Sequence, residues 1–173
     1  IEQRQLIETY ADINTQERLR QAFGYIFERP ANSSYPPICR MTTVQAGKTF
    51  AIKGPGGEIS ILPLAQIHGS SGSLAYRIGN FAYCSDVSDF PHETASGLHG
   101  LDVLVIDALQ YQSHPSHFSL DEALYWIGQL KPKRAILTHM HTPIDYRDVQ
   151  AKLPADVEPA YDGLVVEMPV SAD

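Results

Sequence analysis

The sequence alternates between extended and helical patterns, and this alternation restricts the fold more than any other feature of the chain. An amphipathic helix is predicted after the capping-box-like run Asn14-Thr15-Gln16-Glu17, with a core-facing side formed by Leu19, Ala22, Phe23, Ile26 and Phe27. A second helix is predicted from the capping box Ser119-Leu120-Asp121-Glu122. The pattern is typical of an α/β or α+β fold, and we expect one domain over residues 1–173.

Short apolar segments bounded by turn residues account for most of the remaining sequence. They predict strands at 7–10, 49–52, 59–66, 74–78, 81–84, 101–109, 134–138 and 164–168, and a short helix at 145–153. The dipeptide Gly79-Asn80 predicts the turn of a hairpin. No apolar run reaches the roughly 18 residues that a membrane-spanning helix needs, so we expect no membrane partner.

Charge and cysteine content exclude several classes of function. The formal net charge of −7 argues against long nucleic acids as partners, because contact with a phosphate backbone needs a basic surface. The two cysteines, Cys39 and Cys84, form neither a C-x-x-C metal motif nor a disulfide framework. We therefore expect a cytoplasmic protein with reduced thiols. The oligomeric state stays open, with a homodimer as one option.

Histidines at the ends of predicted elements mark the candidate chemistry. All seven lie between residues 68 and 141, and five of them follow an apolar strand or precede a capped helix. His68 follows a strand and is itself followed by small residues, 69–73, that leave room for a metal or a ligand. His139 and His141 are two positions apart, so they point the same way in extended backbone. Each alone could equally be a solvated loop histidine.

Three further residues complete the candidate set. Asp86 follows the strand 81–84, where a carboxylate can bridge two cations, although a turn or helix-cap aspartate is the plain alternative. His114 and His117 precede the second helix, whose dipole favours the neutral imidazole form suited to ligand or acid/base chemistry. The sequence alone leaves surface histidines open as the alternative.

In combination, these segments resemble the later metal motifs of the metallo-β-lactamase superfamily. The resemblance is carried by residues 66–79, 83–89, 113–123, 135–141 and 159–163, and it extends over nearly the whole chain. It is closest to the phosphodiesterase of the carbon–phosphorus lyase pathway and its relatives, including ribonuclease Z. The resemblance implies an αββα sandwich, of which this chain would form the C-terminal portion.

The resemblance also implies a site with two divalent metal ions, zinc or manganese. His68 would be a ligand of the first ion, and Asp86 would bridge the two. One of His139 and His141 would be a ligand of the second ion, with His141 preferred. The superfamily signature His-x-His-x-Asp-His is absent from the 173 residues, so we expect the chain to be a fragment that carries about half of the metal ligands.

The implied reaction is hydrolysis of a small phosphodiester, such as a cyclic nucleotide or a cyclic sugar phosphate, by a metal-bound hydroxide. His117 would donate a proton or stabilise the phosphate, with His114 as the second choice. Two alternatives stay open. The chain could be a thioester or lactone hydrolase of the same fold, or a non-catalytic domain that binds a nucleotide or a protein partner.

Overall fold

The computed structural model describes residues 5–168. The chain divides into two compact units, with the boundary between Lys48 and Thr49. No helix in the described part is long and apolar enough to cross a membrane. The prediction of a single domain over the whole chain stays a prediction.

The first unit contains a small parallel sheet and one helix. Strand β1 (Ile7–Ala11) pairs with β2 (Cys39–Thr43), and helix α1 (Ile13–Phe23) continues into a 3-10 turn at Gly24–Ile26. The helix begins two residues earlier than the sequence predicted, because its N-cap is Asp12 and not Asn14; the Asp12 side chain accepts a hydrogen bond from the Thr15 backbone N–H at 3.0 Å.

The predicted apolar face of helix α1 does not lie on a core within the described residues. Phe23 is 47% exposed, and the buried residue of this helix is Gln16. Its side-chain amide donates to the Ala11 carbonyl and to the Thr43 hydroxyl, at 2.9 and 2.8 Å. The residue that joins helix and sheet is therefore polar. It lies on the same side of the helix as Leu19 and Phe23, three and seven positions later, so the apolar spacing indicated the side of the helix but not the residue that is buried there.

The second unit is built on a seven-stranded mixed sheet whose strands lie in chain order. The strands are β3 (Phe50–Gly54), β4 (Gly57–His68), β5 (Ser71–Ile78), β6 (Phe81–Cys84), β7 (Val103–Asp107), β8 (Arg134–Thr138) and β9 (Val157–Pro159). Neighbours from β3 to β6 pair antiparallel, and those from β6 to β9 pair parallel. The crossovers contain helices α2 (His92–Gly97), α3 (Leu120–Leu130) and α4 (Tyr146–Gln150).

The buried strand β7 divides its side chains between two apolar clusters, as the alternation of a strand requires. Leu104 and Ile106 belong to the larger cluster, which also contains the buried side of α3. Val103 and Val105 belong to a smaller cluster on which residues of the 160–168 segment pack. Both faces of the strand are covered, which explains its nearly continuous apolar sequence.

Other parts of the secondary-structure prediction also need correction, among them β2, which was not predicted. Residues 164–168 form no strand; Leu164, Val166 and Met168 pack against the smaller cluster without pairing, and the last strand among residues 5–168 is Val157–Pro159. Helix α2 was not predicted, because its six residues, HETASG, show no apolar period. By contrast, the capping box of α3 is present in full, with Ser119 and Glu122 each bonding the other's backbone N–H.

Candidate active site

Four strands of the seven-stranded sheet end at the same edge. Because β4 and β6 are both antiparallel to β5, and β6, β7 and β8 are parallel, all four end at the same edge. His68 is the last residue of β4, Asp107 ends β7, and His139 directly follows β8. Asp86 lies two residues beyond β6. This is where α/β sheets place functional side chains.

Four of the predicted site residues converge at this edge. His68, Asp86 and His117 each offer one potential ligand atom, and these atoms lie within 4.8 Å of one another. His139 completes the group, with its Nε2 3.8 Å from Asp86 Oδ1 and its ring stacked on that of His117 at 4.8 Å between centroids. The rings of His68 and His117 meet edge to face at 4.7 Å.

Hydrogen bonds donated by Nδ1 orient two of these rings. His68 Nδ1 lies 2.7 Å from the Ser116 carbonyl oxygen, which can only accept, so Nδ1 carries the proton. His117 Nδ1 lies 2.6 Å from Asp107 Oδ2 and donates to this carboxyl oxygen in the same way. In both neutral imidazoles the lone pair is then on Nε2, which is the form that binds a metal or accepts a proton.

Asp107 is a functional candidate that the sequence reasoning missed. Its side chain is fully buried, and Oδ2 also accepts the Val87 backbone N–H at 3.1 Å, while Oδ1 has no hydrogen-bond partner among the described residues. Burial raises the pKa of Asp107, although the hydrogen bonds from His117 and Val87 oppose the rise. A buried, incompletely satisfied carboxylate is costly, which points to a role beyond stability.

The backbone at two site residues adopts a conformation that side chains disfavour. Asp86 and His139 have φ values of 55° and 63°, in the left-handed region. Such positions cluster at functional sites, where the surrounding structure holds them. At Asp86 that support includes the Ser73 hydroxyl, which donates to the Asp86 carbonyl at 2.6 Å, and the Gln66 amide, which donates to the Ser73 hydroxyl at 3.0 Å.

Gly69 allows the loop that carries His117 to approach strand β4 closely. Its φ is 61°, and an added Cβ would stand 3.0 Å from the Ser116 Cβ and 3.3 Å from the Pro115 carbonyl oxygen. The small residues after His68 therefore make room for protein backbone. That backbone supplies the Ser116 carbonyl that orients His68.

The structure separates the two histidines between which the sequence could not decide. His139 lies in the cluster, whereas His141 is held by other contacts: its backbone N–H donates to the Leu109 carbonyl at 2.8 Å, and its Nδ1 lies 3.4 Å from the Thr142 hydroxyl. The geometry therefore favours His139 over the preferred candidate His141. His114 stands at the margin, with its ring 5.3 Å from that of His117.

The residues present fit a divalent cation. Imidazole and carboxylate donors suit zinc and manganese. Metal-binding histidines in general donate their second ring N–H to a carbonyl or a carboxylate, and His68 and His117 both do so here. His68, Asp86 and His139 could supply ligands, with His117 as a fourth donor or as an acid/base group.

Comparison with known proteins agrees with this geometry. Residues 1–140 match the family described as the beta-lactamase superfamily domain. The structure is similar to that of a new diphosphatase from the PhnP family, with a TM-score of 0.84 and 29% identity over 96% of this chain and 60% of that one. It also resembles Zn(2+)-bound PqqB from Methylobacterium extorquens, with a TM-score of 0.68 and 14% identity over 95% of this chain and 66% of that one.

A curated relative carries a different name. An octanoyltransferase of Porphyromonas gingivalis is 29% identical over 160 residues, which are 90% of this chain and 31% of that protein. The chain thus spans about a third of this relative and 60% of the PhnP-family protein. The family match nevertheless covers most of the sequence, and the α/β fold class and the predicted family resemblance are confirmed. The chain belongs to the beta-lactamase superfamily and has its metallo-hydrolase fold.

Proposed function

We propose that the protein is a metal-dependent hydrolase of a small phosphodiester, such as a cyclic nucleotide or a cyclic sugar phosphate. The observation that carries this proposal is the convergence of His68, Asp86 and His139 with the His117–Asp107 pair at one sheet edge. Because the chain spans only part of its relatives, the proposal concerns the activity of the full-length gene product.

His68, Asp86 and His139 are the proposed metal ligands, in a site that holds two divalent ions in the intact enzyme. When bound, such ions supply a water nucleophile at neutral pH and neutralise charge on the phosphoryl oxygens. The left-handed backbone at Asp86 and His139 fixes where their side chains leave the strand ends. The Ser116 carbonyl fixes the tautomer of His68 and so aims its Nε2 lone pair.

His117 is the proposed acid/base residue. Asp107 accepts its Nδ1–H, orients the ring and stabilises the imidazolium form, so that Nε2 can hold a proton and release it to the leaving alkoxide. The imidazolium can also stabilise negative charge on a phosphoryl oxygen.

A phosphate ester is favoured over an acyl substrate by the similarity to a protein described as a diphosphatase, which covers 96% of this chain. The net charge of −7 favours a small substrate over a long nucleic acid. The octanoyltransferase relative supports the second candidate, a thioester or lactone hydrolase. Its name describes a protein of which this chain spans 31%, so the name need not refer to the matching segment.

The test uses the full-length gene product with zinc or manganese, assayed on bis-p-nitrophenyl phosphate and on octanoyl-coenzyme A. We expect phosphodiester hydrolysis that a chelator abolishes and added metal restores. Asp86→Asn should abolish it, whereas Asp121→Asn, at an exposed position in the first turn of α3, should not. Hydrolysis of the thioester alone would replace the proposal with the second candidate. Absence of both activities would favour a non-catalytic binding domain.

A further inference from the structure

We propose that the cleft beside His139 is a subsite for a nucleoside, in which Tyr161 stacks on the base and Asp162 accepts hydrogen bonds from ribose hydroxyls or base amino groups. The cleft lies between residues 138–140, at the end of β8, and the segment 160–164. It has a volume of about 390 Å³, within the usual range of small-molecule sites. This inference rests on the proposed function, because it names the organic part of the substrate.

The position of the cleft suits the part of the substrate next to the phosphate. His139 lines one end of it and also lies 3.8 Å from Asp86 in the candidate active site. A phosphoryl group held among the clustered histidines would therefore direct its organic substituent along the cleft. The available volume far exceeds what a phosphate alone would fill.

The segment that carries Tyr161 is fixed to the sheet. The Ala160 backbone N–H donates to the Leu137 carbonyl of β8 at 2.8 Å, and the Leu164 N–H closes a turn onto the Tyr161 carbonyl at 3.0 Å. Gly163 has a φ of 89°, which this turn requires. The turn therefore holds Tyr161 and Asp162 in a defined place at the cleft.

Tyr161 has the properties of a stacking platform. The residue is 55% exposed, yet its ring meets that of Tyr146 edge to face, with the centroids 6.4 Å apart and an interplanar angle of 83°. An aromatic ring that is oriented by a neighbour and still reaches solvent loses little freedom when a planar group stacks on it. Stacking of this kind tolerates any base.

The charges of the cleft distinguish a nucleoside from a phosphorylated sugar. The described residues that line it include the exposed Asp162 and no lysine or arginine. A carboxylate repels a second phosphate group but accepts hydrogen bonds from hydroxyl and amino groups. The cleft therefore favours a neutral sugar with a planar base over a sugar that carries a further phosphate.

The experiment measures binding of AMP and of ribose 5-phosphate, which share the phosphate and the sugar, to the full-length gene product by calorimetry. We expect AMP to bind more tightly than ribose 5-phosphate. Tyr161→Leu should weaken AMP binding about 5-fold to 100-fold and leave ribose 5-phosphate unchanged. Tyr161→Phe keeps the ring and should retain the preference. Asp162→Asn removes the charge and should weaken both ligands, because both carry the ribose hydroxyls.

The matched control is Tyr125→Leu on helix α3. Tyr125 is 60% exposed and also has one edge-to-face aromatic neighbour, Trp126, so the substitution should leave both affinities unchanged. Equal affinity of the wild-type protein for AMP and ribose 5-phosphate would overturn the subsite, and this comparison does not depend on the folding of any variant. Unchanged AMP binding by Tyr161→Leu would also overturn the subsite.

Hydrolysis of bis-p-nitrophenyl phosphate, measured on the same preparations, separates the two proposals. AMP binding that depends on Tyr161, without metal-dependent hydrolysis, would keep the subsite and reject the phosphodiesterase. Metal-dependent hydrolysis without a preference for AMP would keep the enzyme and reject the subsite.

Discussion

His68 and His117 have the same hydrogen-bonded nitrogen but different acceptors, which suits them to different proposed roles. Each donates from Nδ1 and presents Nε2 to the same cluster. The acceptor of His68 is a neutral carbonyl, whereas that of His117 is the buried carboxylate of Asp107. A carboxylate stabilises the imidazolium far more than a carbonyl does, so His117 is the better group for proton transfer and His68 the better permanent ligand.

This difference predicts separate effects of two alanine substitutions in the full-length gene product. His117→Ala should keep the full metal content and the melting temperature, and should lower phosphodiester turnover about 10²- to 10⁴-fold, the usual contribution of an acid/base group. His68→Ala should lose metal. Elemental analysis and turnover on the same samples decide between the roles. Loss of a metal equivalent from His117→Ala would make His117 a ligand.

Asp107 is predicted to act through His117. In Asp107→Asn the side-chain oxygen can still accept the Val87 N–H, but the amide no longer stabilises the imidazolium. Turnover should fall about 10- to 100-fold, as is usual for the outer partner of a functional histidine. The oxygen that accepts the Val87 N–H is also the one that accepts the His117 Nδ1–H, so the tautomer should be kept, and the ¹⁵N chemical shifts of His117 should show a smaller imidazolium population than in the wild type, which a purely structural role would not produce.

The control is Asp102→Asn, which removes the exposed ion pair between Asp102 and Lys133 at 2.6 Å. We expect no change in turnover or in the His117 spectrum. An equal loss of turnover in both variants would contradict the assignment.

The two aspartates also show what the sequence could not resolve. Asp102 and Asp107 both interrupt the apolar run 101–109, and nothing in the local sequence distinguishes them. Their roles depend on which end of β7 they occupy and on what the neighbouring segments bring there. His68 and Asp86 could be predicted as candidates from the sequence, because each stands at or just after the end of an apolar strand and carries a group that can bind a metal.

Among the elements, helix α3 connects the candidate site to the core. Its N-cap, Ser119, lies two residues after His117, and the helix buries Leu120, Ala123, Ile127 and Leu130. Hydrogen bonds from Ser119 and Ser113 lower the pKa of Glu122, although burial opposes the effect. The capping box therefore stabilises the folded state when Glu122 is ionised.

Ser119→Ala is predicted to lower the free energy of unfolding by about 1 kcal/mol at neutral pH. Because the pKa of Glu122 is lowered on folding, the contribution of its carboxylate is present above the unfolded pKa. It is lost as the pH falls through the folded value, so the difference from wild type should shrink in acid. Urea unfolding at several pH values measures this. Ser113→Ala, at an exposed position 3.2 Å from Glu122, should have a smaller effect. If Ser119→Ala lowered the free energy of unfolding equally at all pH values, a contribution from the ionised Glu122 carboxylate would be excluded.

The elements with local signals were predictable and the others were not. Helix α3 begins at its predicted cap, and β8 has the predicted limits, because a capping box and a short apolar run are complete within a few residues. The apolar run 164–168 has the composition of a strand. Its apolar side chains pack on the smaller cluster, and its backbone pairs with no neighbouring strand. Whether an apolar run pairs depends on its neighbours in space.

At the scale of the whole molecule, strand order is what assembles the candidate site. Residues 68, 86, 107 and 139 are far apart in sequence and meet because β4, β6, β7 and β8 end at one edge. Hydrophobic periodicity does not encode the order of the strands. The sequence could therefore suggest candidate ligands, but it could not show that they lie close together. The family resemblance supplied the missing connection without choosing between His139 and His141, and the structure places His139 beside Asp86 and His117.

The two cysteines can report on opening of the fold and on its coupling to metal. Cys39 is half-buried, whereas Cys84 is fully buried in β6, two residues before Asp86. A disulfide-forming thiol reagent should therefore modify Cys39 in the native protein and Cys84 only when the sheet opens. Of the two cysteines in residues 1–173, Cys39→Ser leaves Cys84 to report the slow reaction, and Cys84→Ala leaves Cys39 to report the fast one. Comparable rates for the two thiols in native protein would contradict the burial of Cys84.

Metal should slow the Cys84 reaction further, because an ion that binds only the folded state lowers the population of the open one. At a free concentration about 100 times its dissociation constant, the ion lowers that population about 100-fold, and the rate falls in proportion while closing outpaces modification. The Cys39→Ser protein should show this slowing with zinc or manganese. Adding His68→Ala to it should remove the effect, whereas adding Asp102→Asn should not. A metal effect that survives His68→Ala would place the ion elsewhere in the molecule, and its absence from the parent protein would reject the proposed ligands.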